Sequence, residues 1–225
     1  MKKFLATLLA LTMALALVAC GGNNSAGTSG NDAGGANTSG DTAGDASGEA
    51  GGTFTIGVIG PLTGGNAIYG TNVANAAQIA VDEINALGGD VQFSLISEDD
   101  TGDAETAVNA YNALMDQGMQ ILLGTVTTGP ALAVVPYAYE ERVFTLTPSG
   151  SGDDVIEGND NVFQVCFTDS NQGTRSAQYI SENFDDPQIA IIYRNDDAYS
   201  QGIRDNFVAE AESRGMSIVY EGTFT

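Results

Sequence analysis

The segment TFTIGVIG, residues 53–60, decides the fold class because it begins a regular alternation of strand-like and helix-like units. It is a short apolar run that ends in glycine, which is typical of a buried strand. Residues 69–87 then carry apolar side chains at helical spacing and are followed by Gly88 and Gly89, a common way to end a helix. The two segments together predict a strand followed by a helix.

The same alternation continues to the end of the chain. The pattern predicts further strands over 91–97, 119–123, 142–146, 161–167, 188–193 and 216–220, and further helices over 103–116, 130–140, 172–183 and 200–214. Strands that are separated by helices require right-handed crossovers and a parallel sheet. The sequence therefore predicts an α/β protein with doubly wound parallel sheets, in which ligands bind outside the carboxyl ends of the strands.

The first twenty residues have the plan of a secretory leader. Lys2 and Lys3 are followed by an apolar run over 4–17, which is shorter than the roughly 20 residues that a membrane-spanning helix needs. The closing tetrapeptide LVAC resembles the lipobox of bacterial lipoproteins, and this resemblance implies that Cys20 becomes the acylated first residue. The alternative is an ordinary secreted protein in which the cysteine falls there by chance.

Residues 21–52 are predicted to form a flexible tether. They are small or polar and include no large apolar side chain, so they cannot bury enough surface to offset chain entropy. A tether of this kind would hold a folded domain near a membrane that it touches only through the N-terminal lipid.

The charge balance excludes several functions. The formal net charge is −22, with 29 acidic residues, which makes nucleic acid a poor partner. The chain has no histidine, so a Ser-His-Asp triad, a His-ligated zinc site and a histidine base are excluded. We predict no metal and no cofactor. With Cys20 assigned to the anchor, we expect Cys166 to be a buried thiol in an apolar strand.

Four loops at predicted strand ends could carry a site. Residues 61–70, PLTGGNAIYG, are glycine-rich but lack the Gly-Lys-Ser/Thr ending of a phosphate loop. Residues 147–151, TPSGS, offer hydroxyls and carbonyls that could accept from an ammonium group, or they form a simple surface loop. Residues 195–202, NDDAYSQG, read as a solvated turn by default.

The fourth loop, GTVTTGPA over 124–131, contains two threonines before a proline. One of them, Thr127 or Thr128, is placed to cap the next helix. A helix N-terminus with free amides and a hydroxyl is also an anion site that needs no cationic side chain. Such a site suits a carboxylate.

Taken together and in this order, the segments of residues 54–225 resemble the substrate-binding proteins of ABC transporters for branched-chain amino acids, which have the type I periplasmic binding fold. The segments that carry the resemblance are IGVIGPLTGG (56–65), YG (69–70), DEINALGG (82–89), EDDTGD (98–103), GTVTTGPA (124–131), TPSGS (147–151) and NDDAYSQG (195–202). The family implies two α/β lobes, here 53–168 and 169–225, that close on a ligand.

The resemblance also implies a role for five residues. Thr128 matches the hydroxyl residue that binds the ligand carboxylate. Ser149 matches the position whose carbonyl takes the ammonium, and Ser151 the hydroxyl residue that serves both groups. Tyr69 matches an aromatic residue of the first lobe that lines the pocket, and Tyr199 one of the second lobe that covers the ligand.

The chain ends at Thr225, within or just after a predicted strand, and we expect it to be a fragment with an incomplete second lobe. In the family, the acidic partner of the ammonium and a further aromatic residue come later in the chain. We therefore expect residues 21–225 alone to bind ligand weakly or not at all.

The function that follows is an extracytoplasmic, lipid-anchored protein that captures an amino acid and delivers it to ABC permease subunits. One alternative is a ligand-sensing receptor domain. An adjoining receptor gene would favour this role, whereas neighbouring permease genes would favour transport. Another is a hydrolase that uses Asp99 and Asp100, but adjacent residues of an extended chain point to opposite faces. We predict that the protein is not an enzyme.

Overall fold

The structure is a computed structural model that describes residues 51–225. The leader, Cys20 and residues 21–50 of the predicted tether lie outside the described residues. The strands are β1 (Gly52–Gly60), β2 (Val91–Asp99), β3 (Ile121–Gly124), β4 (Phe144–Thr147), β5 (Val162–Gln164), β6 (Gln188–Arg194) and β7 (Ser217–Phe224). The helices are α1 (Ala67–Ala86), α2 (Ala104–Asp116), α3 (Thr128–Glu140), α4 (Asp169–Asn183) and α5 (Ala198–Ser213).

Every strand pair is parallel, which confirms the predicted fold class. The first sheet has five strands in the order β2-β1-β3-β4-β5, and the second sheet pairs β6 with β7. In the first sheet, β1 lies between β2 and β3, so the chain crosses over in both directions from its first strand. This reversal of strand order brings the carboxyl ends of β1 and β3 side by side at one edge, where a parallel sheet offers a crevice.

The core of the first sheet lies under α2 and α3. Ile59 and Leu122 on neighbouring strands are fully buried against Tyr111 and Leu114 of α2 and Val134 of α3. Each large side chain removed from water in this way contributes about 1.5–3 kcal/mol. The strands that present the candidate site are therefore held by the best-packed part of the molecule.

Two glycines allow close approach at the site edge of the first sheet. A Cβ on Gly70 of α1 would run into the carbonyl oxygen of Pro61, so the helix starts pressed against the loop after β1. Gly124, at the end of β3, has φ +149, and a Cβ there would lie 2.6 Å from the carbonyl oxygen of Ile59. Larger residues at these positions would push the loops apart.

The chain leaves the first sheet earlier than the sequence predicts. The strand predicted over 161–167 ends at Gln164, because its partner β4 ends at Thr147, the residue that pairs with Gln164. Cys166 follows in a bend and is half-buried, so the expectation of a buried thiol within a strand is wrong. Burial nevertheless raises the pKa of the Cys166 thiol, which leaves it a poor thiolate nucleophile.

Helices α4 and α5 pack closely on each other. Gly173 of α4 lies against the backbone of Ile203 and Phe207 of α5, and a Cβ there would collide with both. The second sheet is less covered, since Ile192, Tyr220 and Phe224 are all more than half exposed.

Candidate functional site

The candidate site lies where the loops after β3 and β4 meet. Ser151 N donates to Thr128 Oγ1 at 3.2 Å, which joins the start of α3 to the loop after β4. Thr147 strengthens the junction, since its hydroxyl donates to the carbonyl oxygen of Thr125 at 2.8 Å and accepts from Gly150 N at 2.8 Å. The two loops thus form one hydrogen-bonded unit at the carboxyl edge of the first sheet.

The two threonines at the start of α3 take different roles. Thr127 occupies the N-cap position, but its hydroxyl makes no capping hydrogen bond. Its Oγ1 is shielded from solvent and has no hydrogen-bond partner within residues 51–225. Thr128 is the first residue of the helix, and its hydroxyl accepts one hydrogen bond and keeps its own proton available. The helix terminus therefore retains unused donors, as an anion site requires.

The two serines of the β4 loop are anchored by their hydroxyls. Ser149 Oγ donates to the carbonyl oxygen of Val126 at 2.6 Å. Ser151 Oγ donates to Asp169 Oδ1 at 2.7 Å, and the backbone N–H of Asp169 donates to the carbonyl oxygen of Ser151 at 2.9 Å. Ser151 is therefore fixed from both sides, by α3 and by α4.

The structure brings Thr128 and Ser151 together but closes them off from solvent. Thr128 is 4% exposed and Ser151 is 3% exposed, whereas Ser149 is exposed. Tyr69 and Tyr199 are 61% and 39% exposed, and neither phenol makes a hydrogen bond within the described part of the chain. Thr128 and Ser151 form a buried pair, whereas Ser149 is not joined to either by a hydrogen bond, and the two aromatic rings are exposed on α1 and α5.

Asp169 joins the candidate site through its hydrogen bond from Ser151, and the sequence analysis does not single it out. It is 2% exposed, it is the first residue of α4, and its Oδ2 has no hydrogen-bond partner among the described residues. Burial raises the pKa of this carboxyl group, and the hydrogen bond from Ser151 opposes the shift. The helix predicted over 172–183 leaves Asp169 out, whereas the observed helix begins there. Thr168, whose hydroxyl accepts from Asn171 N, is the sequence signal for the earlier start.

The acidic loop after β2 has a structural role. Asp99 accepts hydrogen bonds from Leu62 N and Thr101 N, both at 2.8 Å, and from the hydroxyl of Thr63 at 2.5 Å. Its carboxylate therefore ties the β1 loop to the β2 loop. Asp100 is fully buried and accepts from Gly102 N, and burial raises its pKa to about 6.

Other kinds of site find no support in residues 51–225. No group of three or more acidic or cysteine side chains there could hold a metal ion. Nor does that part of the chain contain a helix with the length and apolar character needed to cross a membrane.

Comparison with known proteins points in one direction. Residues 53–225 match the family model described as periplasmic binding protein. The Leu/Ile/Val-binding protein BraC3 of Rhizobium johnstonii is 37% identical over 174 residues, which cover 76% of this chain and 47% of that protein. The chain thus spans about half the length of the curated relatives that it matches.

Solved structures agree. The branched-chain amino acid transporter substrate-binding protein LivJ of Streptococcus pneumoniae, in complex with isoleucine, has a TM-score of 0.71 and 30% identity over 77% of this chain and 50% of its own. The leucine-binding protein LivK of Thermotoga maritima has a TM-score of 0.70 and 28% identity, over 76% of this chain and 49% of its own.

Proposed function

The chain belongs to the periplasmic binding protein family, and from this premise we propose that it captures an amino acid, branched-chain or related, and delivers it to the permease subunits of an ABC transporter. The relatives and solved structures that it resembles carry names of this kind, as Leu/Ile/Val-binding and leucine-binding proteins. Because the chain covers about half of their length, the ligand and the partners are inferred from chemistry as well as from resemblance.

The observation that carries the proposal is the contact between Thr128 and Ser151. It gathers hydroxyl groups and free helix amides at the carboxyl edge of a parallel sheet. Uncharged donors at a helix N-terminus bind a carboxylate, and serine oxygens beside them accept from an ammonium group. An amino-acid zwitterion presents both groups on adjacent atoms.

The proposed mechanism is closure of two lobes, 53–168 and 169–225, on the ligand. Thr128 and Ser151 are buried in this conformation, so a ligand reaches them only when the loops around them separate. The two lobes meet where Ser151 Oγ of the first donates to Asp169 Oδ1 of the second at 2.7 Å, and this hydrogen bond would break on opening. Ligand would then shift an equilibrium between open and closed states, with Tyr69 and Tyr199 covering it.

The test is a ligand titration of the Thr128→Ala variant. Each hydrogen bond to a charged ligand group contributes roughly 1.5–3 kcal/mol, so the variant should bind L-leucine at least about tenfold more weakly. NMR titration of the full chain measures weak binding as well as tight binding. Thr145→Ala is the matched control, because Thr145 is equally buried in β4 and its hydroxyl bonds only to the carbonyl oxygen of Val143. Equal affinities for the two variants would refute the assigned site.

We also propose that the protein is anchored outside the cytoplasm through a lipid on Cys20. The support is the LVAC sequence at the end of an apolar leader. Metabolic labelling with a clickable fatty acid should mark the wild-type chain in the membrane fraction, and Cys20→Ser should abolish the label. Labelling that persists in this variant would exclude Cys20 as the acylated residue.

A catalytic role for the acidic loop is not part of the proposal. Asp99 already accepts three hydrogen bonds and Asp100 is buried without solvent contact, so the two carboxyl groups do not form an acid–base pair on a shared substrate. Turnover of an amide or a glycoside by the purified chain would contradict this part.

A further inference from the structure

The loop after β1, residues 61–66, is held by a carboxylate from the neighbouring strand. Asp99, the last residue of β2, accepts from Leu62 N at 2.8 Å and from the hydroxyl of Thr63 at 2.5 Å, and Thr101 N donates to it at 2.8 Å. Burial raises the pKa of the Asp99 carboxyl group, but these hydrogen bonds outweigh burial and lower it. The group is therefore ionised at neutral pH, and hydrogen bonds to an ionised acceptor are stronger than neutral ones.

The first turn of α1 depends on this loop because it lacks a cap of its own. Helices α2, α4 and α5 each begin with a side chain that accepts from a backbone N–H, on Asp103, Thr168 and Asp197 respectively. At the start of α1, the side chain of Asn66 makes no capping hydrogen bond and the first turn contains no acidic residue. The turn is thus held from outside the helix, through the loop that Asp99 fixes.

This first turn contains Tyr69 and borders the candidate site. A Cβ on Gly60 would collide with the side chain of Val126 and lie 3.5 Å from the Cα of Gly70, so the start of α1 lies beside the loop after β3. The carbonyl oxygen of Val126 in turn accepts from Ser149 Oγ at 2.6 Å. A displacement of the turn would therefore move Tyr69 relative to the loops after β3 and β4.

We propose that Asp99 is a positioning residue, which holds the β1 loop so that Tyr69 stands in place to cover the ligand before the ligand arrives. The inference rests on the proposed function, in which Tyr69 covers the bound amino acid. The gain is entropic. The loop contains Gly64 and Gly65, which are both exposed, and Gly64 has φ +83, so the loop could adopt many conformations if it were released. Ordering such a loop during binding would cost affinity, and a loop that is already ordered avoids that cost.

The first experiment needs no ligand. Amide hydrogen exchange of the full chain, followed by NMR, should show exchange at Leu62 and Tyr69 about tenfold faster in Asp99→Ala, with α2 unchanged. Thr63→Val removes one of the three hydrogen bonds at an exposed position and should shift the same two amides by less. Faster exchange spread evenly over β1–β5 would show that Asp99 only stabilises the fold, and would overturn the inference.

The second experiment is a double-mutant cycle with L-leucine as the probe. Asp99→Ala should lower the affinity of the full chain about threefold or more, measured by NMR titration. In the Tyr69→Ala background the same change should cause no further loss, because the ring that Asp99 positions is absent. Equal losses in the two backgrounds would show that Asp99 does not act through Tyr69, and would overturn the inference.

The control is Asp103→Asn in the same acidic segment. The Asp103 carboxylate accepts from the backbone N–H and the hydroxyl of Thr106 and makes no hydrogen bond to the β1 loop within the described residues. Asparagine is also a good helix cap, so the exchange at Tyr69 and the leucine affinity should equal those of the wild type. Changes as large as those of Asp99→Ala would assign the effect to the charge of the segment and contradict the inference.

The outcomes separate this inference from the proposed function. If the wild-type chain binds leucine and Asp99→Ala binds it equally well, the inference fails alone. If the wild-type chain does not bind leucine, the proposed function fails, whereas the exchange experiment still tests whether Asp99 holds Tyr69 in place. If Asp99→Ala loses the dispersed NMR spectrum of a folded protein, Thr63→Val replaces it, and wild-type exchange at Leu62 and Tyr69 in that variant overturns the inference.

Discussion

The first region of the molecule, β1–β5 with α1–α3, and the second region, α4–β7, have the same local pattern but differ in burial. In the first, Ile59 and Leu122 of the sheet are fully buried against Tyr111 of α2 and Val134 of α3. In the second, Ile192 and Phe224 are 71% and 55% exposed although they lie on regular parallel strands. The difference shows that burial depends on neighbouring elements, because Ile59 and Leu122 pack against α2 and α3 whereas Ile192 and Phe224 are not covered within the described residues.

The proposed site draws on both regions. Thr128 and Ser151 follow strands of the first sheet, whereas Asp169 and Tyr199 lie on α4 and α5 of the second region. The proposed closure on a ligand needs groups from both. Three substitutions in the first region, each paired with a substitution in the second, test this difference.

The largest effect is expected in the first core. Leu122→Ala removes a fully buried side chain from β3 and should lower the free energy of unfolding by about 3 kcal/mol. Ile192→Ala, on the exposed face of β6, should change it by less than about 0.5 kcal/mol. Urea denaturation followed by circular dichroism measures both. Similar losses in the two variants would mean that Ile192 is buried in solution and that the contrast is false.

A smaller effect is expected from the buried carboxyl group of Asp100. Its pKa in the folded protein is raised to about 6 from an ordinary value of 3.8, so the folded state binds more protons between these pH values. This group therefore lowers the free energy of unfolding as pH rises from about 4 to about 6, and the full penalty remains at pH 7. Asp100→Asn should stabilise the protein at pH 7 by on the order of 2 kcal/mol and flatten the profile.

The partner substitution is Asp196→Asn in the second region. Asp196 is exposed, and a hydrogen bond from Arg194 lowers its pKa, so its contribution to stability has the opposite sign. Removing it should bring no gain at neutral pH. Thermal melting of the wild type and both variants across pH 4 to 8 is the measurement, and a wild-type-like profile for Asp100→Asn would contradict the expected penalty.

The smallest effects concern two helix caps with the same chemistry. Asp103 caps α2 by accepting from Thr106 N at 2.8 Å, and Asp197 caps α5 by accepting from Ser200 N at 3.0 Å. Loss of such a cap costs about 1 kcal/mol. Asp103→Ala should reduce protection from hydrogen exchange throughout the first region, whereas Asp197→Ala should reduce it only in α4, α5 and the second sheet. Equal, global loss in both variants would show that the two regions unfold as one unit.

Much of the fold could be predicted from the sequence, since strong periodicity marks segments such as β1 and α2. The helix predicted over 103–116 is observed at Ala104–Asp116, with Asp103 as its cap. The errors lie where tertiary contacts override pattern. The strand predicted through Phe167 stops at Gln164, because its partner β4 ends at Thr147 and offers no further residues to pair. The helix predicted from 172 begins at Asp169, whose N–H bonds to the carbonyl oxygen of Ser151, eighteen residues away.

For the candidate site as well, part could be predicted from the sequence and part could not. The order of the loops pointed to Thr128, Ser149, Ser151, Tyr69 and Tyr199, but the direction in which each hydroxyl donates depends on partners distant in the chain. Ser151 Oγ has only lone pairs left because it donates its proton to Asp169, whereas Thr128 Oγ1 accepts from Ser151 N and keeps its own proton.

The sequence by itself determined the alternation of strands and helices, because apolar spacing and capping residues act within a few positions of each other. It also determined that no histidine chemistry is available. Only the tertiary structure decided which side chains are buried, that Ser151 N donates to Thr128, and that Ser151 Oγ donates to Asp169. Those outcomes depend on packing between elements, and a one-dimensional pattern does not specify which distant atoms become neighbours.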